Sequence, residues 1–71
     1  MAKKFEAAIY NETVRRLVNS GERHRDLDDA WADTHYVEVR ADDADDARSR
    51  LTRRYPTDQG YVIEDISLSD E

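Results

Sequence analysis

Residues 35–41, HYVEVRA, alternate strictly: Val37, Val39 and Ala41 fall on one side, Tyr36, Glu38 and Arg40 on the other. That period of two predicts a half-buried strand. The period then lengthens. Over DDADDARSRLTRRYP (42–56), Ala44, Ala47, Leu51 and Tyr55 recur at spacings of three and four, the stripe of a helix. Asp42 or Asp43 can cap its first turn, and Pro56 stops it. After the turn residues TDQG, YVIEDISL (61–68) reads as another strand. In it Tyr61 and Ile63 share one parity while Ile66 and Leu68 share the other, and a bulge near Glu64 and Asp65 would bring all four to one face.

The first twenty residues admit two patterns. As one helix from Lys3 to Ser20, the apolar positions spread over half the cylinder with Glu6 among them. As a strand from Lys3 to Tyr10, Phe5, Ala7 and Ile9 line one face, and Lys4, Glu6 and Tyr10 the other. Asn11 then becomes the N-cap of a helix carrying Val14, Leu17 and Val18 and ending at Gly21, a natural C′ residue. The strand reading is preferred, because two strands alone make a marginal sheet whereas three can support helices. The expected fold is therefore a small α/β two-layer sandwich in the order β-α-β-α-β, with two helices packed on one face of a three-stranded sheet. The second and third strands would be joined by a right-handed crossover if they lie parallel. A single domain over 1–71 is expected, ordered over about 3–68, with 69–71 a frayed tail.

Composition narrows the chemistry. A chain of 71 residues without cysteine has neither disulfides nor thiolate metal ligands. No apolar run is long enough for a membrane span, and MAKKFEAAIY lacks the apolar core of a secretory signal, so a cytoplasmic protein is expected. Seventeen acids against eleven bases give a formal charge of −6, which repels phosphate backbones and disfavours nucleic acid as a partner. Arginine outnumbers lysine nine to two, and GC-rich coding and salt adaptation both account for such a bias. The Asp-rich start and Arg-rich end of 42–54 complement a helix dipole. They lack the glycine and terminal Glu of an EF-hand loop.

The densest chemistry lies in RHRDLDDAWADTH (23–35), with two histidines, four aspartates and the one tryptophan. Imidazole and carboxylate suit zinc or iron, making His24, Asp33 and His35 the candidate metal ligands. Against this, the histidines are eleven apart with no recognised spacing, and His35 shares parity with Val37 and Val39. The plainer reading is a connecting loop pinned by Leu27 and Trp31, four apart on a short helical turn. No nucleophile motif or evident cleft supports catalysis, and no cofactor is expected. A tyrosine-bearing sheet could stack RNA bases, but Glu6 and Glu38 would share that face and oppose the phosphates. Acidic mimicry of nucleic acid is countered by the interspersed arginines. The expectation is a non-enzymatic protein-interaction or assembly module, in which Tyr10, Tyr36, Glu38 and Arg40 form the contact face and a protein partner or second copy binds. A metal-binding or metal-sensing domain using the 23–35 loop is the alternative.

Overall fold

The computed structural model describes residues 2–69. Strand β1 (Lys3–Asn11) leads into helix α1 (Glu12–Asn19), a loop with a 3-10 turn (Asp29–Ala32), and β2 (His35–Ala41). Helix α2 (Ala44–Arg54), a second 3-10 turn (Thr57–Gln59) and β3 (Tyr61–Leu68) follow. The order is β-α-β-α-β, and the small α/β fold is the one the hydrophobic pattern predicts. The sheet order is β2-β1-β3, with β1 antiparallel to both neighbours. β2 and β3 therefore run parallel to each other, joined across β1 by α2.

Register follows the pleat. Phe5 faces Val39 and Leu68, Ala7 faces Val37 and Ile66, and Ile9 faces His35 and Ile63. The pairing of β3 shifts between Ala8 and Ile9, leaving Glu64 unopposed between Ile63 and Asp65. This is the expected bulge, and it returns Ile66 and Leu68 to the face of Tyr61 and Ile63. Glu64 also reaches across the sheet to accept a hydrogen bond from Thr34 Oγ1 at 2.7 Å. Beyond β3, Ser69 donates its N–H to the Lys4 carbonyl at 2.9 Å. Positions 70 and 71 of the expected frayed tail lie outside the described residues.

Helix α2 covers the apolar face of the sheet, burying Ala47 and Leu51 against Phe5, Ala7, Ile9, Val39, Ala41 and Tyr61. Its first turn is capped by Asp43, whose side chain accepts from the Asp46 N–H at 2.8 Å. Asp46 in turn accepts from the Asp42 N–H at 3.0 Å and from Arg50 Nε at 3.1 Å. These bonds, the Asp42 amide first and the Arg50 side chain second, hold the Asp46 carboxyl below the usual carboxylate range.

Helix α1 is placed differently. It starts at the residue after β1 and makes most of its contacts with the first 3-10 turn rather than the sheet. Nine extended residues span about 30 Å and eight helical residues about 12 Å. The molecule measures 45 × 23 × 15 Å, longer than β1 by itself. The radius of gyration, 13.3 Å, exceeds the roughly 11 Å of a compact domain this long. α1 ends in a Schellman motif: Gly21, at φ 76°, donates to Val18 O, and Glu22 donates to Leu17 O.

The β1–α1 junction is fastened by Asn11, the one buried polar side chain among the described residues. Its Oδ1 caps α1 by accepting from the Val14 N–H at 3.0 Å, and its Nδ2 donates to the Gln59 carbonyl at 3.1 Å. Glu12 N–H donates to the Gly60 carbonyl at 2.7 Å. Gly60 has φ 95°, and a Cβ there would collide with Thr13 Oγ1 and Asn11 Oδ1. Only glycine satisfies both the left-handed backbone and this close approach.

In urea denaturation, Asn11→Ala should lose about 2–4 kcal/mol, since it removes a cap and leaves the buried Val14 N–H without its acceptor. Asn11→Asp keeps the cap but loses the donor to Gln59, so it should fall between the two. Gly60→Ala should cost about 2 kcal/mol or more. The stability advantage of wild type over Asp46→Asn should be present above the ordinary carboxylate pKa and lost as pH falls through the depressed value. A gap between the two proteins that stayed constant across an acid titration would refute this.

Candidate functional site

Two regions collect the residues singled out by sequence: the loop over 23–35 and the uncovered face of the sheet. In the loop, His24 closes a turn. Its Nδ1 lies 3.0 Å from both the Asp26 and Leu27 N–H groups, so it accepts from each and the ring proton sits on Nε2. Asp28 then caps the first 3-10 turn through the Ala30 N–H at 3.1 Å. From His24 to Ala30 the turns are held by side-chain-to-amide bonds, and backbone bonds from Trp31 to Asp28 and from Asp33 to Ala30 complete the 3-10 turn.

That turn delivers Trp31 to an aromatic group. The indole stacks on His35 with centroids 4.4 Å apart, meets Tyr61 edge-on at 5.3 Å, and lies 5.7 Å from Tyr55. Tyr55 and Tyr61 also meet edge-on at 5.3 Å. These separations are those at which ring quadrupoles attract. Trp31 and Leu27 are half-buried and pack against the main core. His35 Nε2 lies 2.8 Å from the Ala30 carbonyl, an acceptor only, so that nitrogen carries the proton. Arg15 Nε donates to the Ala32 carbonyl at 2.8 Å and fastens the same turn to α1.

The three candidate metal ligands are thereby separated in role. His24 Nδ1 is taken by two amides, His35 Nε2 by a carbonyl, and Asp33 is exposed just past the 3-10 turn. Among the described residues no group of three or more His, Cys, Asp or Glu side chains could hold a metal ion. A shallow depression of about 390 Å³ is lined by His24, Asp26, Leu27 and Gln59. Among the described residues no buried side-chain nitrogen or oxygen lacks a hydrogen-bond partner. Comparison with protein-family models, with curated proteins and with solved structures found no match to this chain.

Among the described residues, the other face of the sheet carries no helix comparable to α2. Tyr36 is 70% exposed. Glu38 and Arg40 are exposed on the same face, and Glu38 pairs with Lys4 at 3.5 Å. Tyr10 is held apart from them. It is half-buried beneath Arg15, whose guanidinium carbon sits 3.6 Å from the ring centroid, a close cation–π contact. Arg15 and Thr34, through their contacts with Tyr10 and Glu64, are the residues of this face that periodicity does not single out. Arg15 is half-buried, with its guanidinium over the Tyr10 ring and its Nε on the Ala32 carbonyl, both partners outside its own helix. Strand β2 also forms a free edge, with no strand on its outer side among the described residues.

Trp31→Ala should destabilise the protein by about 2–3 kcal/mol, less than for a fully buried indole because one side stays wet. His24→Ala should cost about 1 kcal/mol, and His24→Asn should recover part of it, since Asn can offer an acceptor to the same amides. Thermal denaturation of the three variants checks both values.

Proposed function

We propose that this chain is a small non-enzymatic interaction or assembly module, which uses the β2 side of its uncovered sheet face to bind a protein. The observation that carries the reading is the exposure of Tyr36. A tyrosine 70% exposed, beside Glu38 and Arg40 on a strand at the sheet edge, offers apolar area with polar groups around it. That combination is typical of protein contact surfaces. The sheet order supports it: β2 is an outer strand with no strand beyond it among the described residues, and Glu38 and Arg40 are exposed along it. The buried apolar core among the described residues includes three alanines, Ala7, Ala41 and Ala47, so added burial from a partner would stabilise a thin domain. No helix among the described residues is long and apolar enough to cross a membrane. A cytoplasmic setting, with protein instead of nucleic acid as the partner, accords with the charge of −6.

A metal site in the 23–35 loop has less support. Binding at His24 Nδ1 would have to displace two amide hydrogen bonds, and binding at His35 Nε2 a carbonyl bond. Two experiments separate the readings. Tyr36→Ser should fold as the wild type does by circular dichroism, yet retain at most about one tenth of a specifically captured protein, a loss suited to an aromatic contact. Equal capture by the variant would overturn the face. Titration with zinc should leave Trp31 fluorescence and the melting temperature unchanged. A saturable shift in both would favour the metal reading instead.

A further inference from the structure

We infer that the partner of the β2 edge is a second copy of this chain, joined antiparallel about a two-fold axis at Val39; this deepens the interaction reading above and rests on it. The first observation is the state of the edge. Both outer strands are free edges among the described residues, but β3 is bulged at Glu64, followed by Asp65, which interrupts regular pairing. β2 pairs with β1 without a break from His35 to Ala41 and contains no proline.

The second observation is where its peptide groups point. Lys4 O accepts from Ser69 N–H, so Lys4 turns its peptide groups toward β3. In an antiparallel ladder this orientation alternates, and Arg40, opposite Lys4, is then a non-hydrogen-bonded pair with it. The N–H and C=O groups of Tyr36, Glu38 and Arg40 accordingly face outward. Pairing β2 with a copy of itself about Val39 places Glu38 opposite the second copy's Arg40, twice by symmetry. Each pair can exchange both backbone hydrogen bonds, and the apolar faces of the two sheets stay on one side.

The third observation selects this register. Within one chain, Lys4 lies opposite Arg40 and Glu6 opposite Glu38, two like-charged pairs side by side on β1 and β2. Like charges directly opposite destabilise a sheet, and Lys4 pairs with Glu38 along the diagonal. In the dimer each row across the junction reads Lys4, Arg40, then Glu38 and Glu6 of the second copy. Every like-charged pair abuts its opposite. Shifting the axis to Glu38 would instead align four carboxylates, Glu6 and Glu38 of both copies, in one row.

Charge reversal tests this in the intact protein. Sedimentation equilibrium up to about 1 mM, a range that reaches weak complexes, should give a dimer for the wild type. Glu38→Arg and Arg40→Glu should each weaken it about tenfold or more, because both create two like-charged cross-strand pairs. Mixed in equal amounts, the two variants should form a heterodimer, since every 38–40 pair is again opposite in sign. Circular dichroism confirms that each variant folds. A wild type that stays monomeric, or a dimer indifferent to both reversals, would overturn the second-copy inference. In either case, partner capture that depends on Tyr36 would still sustain the interaction module, so the two failures are distinguishable.

Discussion

The architecture depends on how β1 is joined to α1, and that joint is Asn11. Its side chain faces the apolar side of the sheet, fully buried, where an amide unpaired on either end would be costly. Oδ1 is committed to the first turn of α1 and Nδ2 to the carbonyl before Gly60. One residue thereby ends a strand, starts a helix and fastens the α2–β3 connection to both. With no linker between strand and helix, these bonds fix where α1 starts, and α1 packs mainly against the first 3-10 turn instead of the sheet.

The rest of the core follows from that constraint. With α1 at the end of the sheet, α2 alone covers the apolar face, and Ala7, Ala41 and Ala47 let it approach closely. The gap beside its C-terminal end is filled by rings instead of a helix: Tyr55, Tyr61 and Trp31, with His35 stacked outside. The long loop after α1 is what carries Trp31 there. In it His24 and Asp28 accept hydrogen bonds from the Asp26, Leu27 and Ala30 N–H groups.

What could be read from the chain was local. The alternation in β1 and β2, the Asn11 and Asp43 caps, the Gly21 stop and the bulge at Glu64 each leave a mark within a few residues, because period and capping act over that distance. The sheet order was not legible, since the same strands can be arranged in several ways with the same faces buried. For the same reason the contacts of Arg15 with Tyr10 and Thr34 with Glu64 were hidden. Tyr10 and Tyr36 share parity, yet only register and the path of α1 decide that one is covered and the other exposed. For His24, sequence offered a possible ligand, while the local fold gives its nitrogen two amides to accept.

The two edges of the sheet differ in a way that bears on folding as well as assembly. An unprotected edge invites indiscriminate pairing, and proteins blunt such edges with bulges, charges or cover. On β3 the bulge breaks the regular ladder, and its extra residue, the exposed Glu64, accepts a hydrogen bond from Thr34. On β2 the protection is electrostatic alone, through Glu38 and Arg40. Against an antiparallel copy of itself, such a strand meets like charge when the axis passes through Glu38 or Arg40 and opposite charge when it passes through Val39. An edge charged in this way disfavours strands that bring like charges opposite each other and leaves open those that bring opposite charges together.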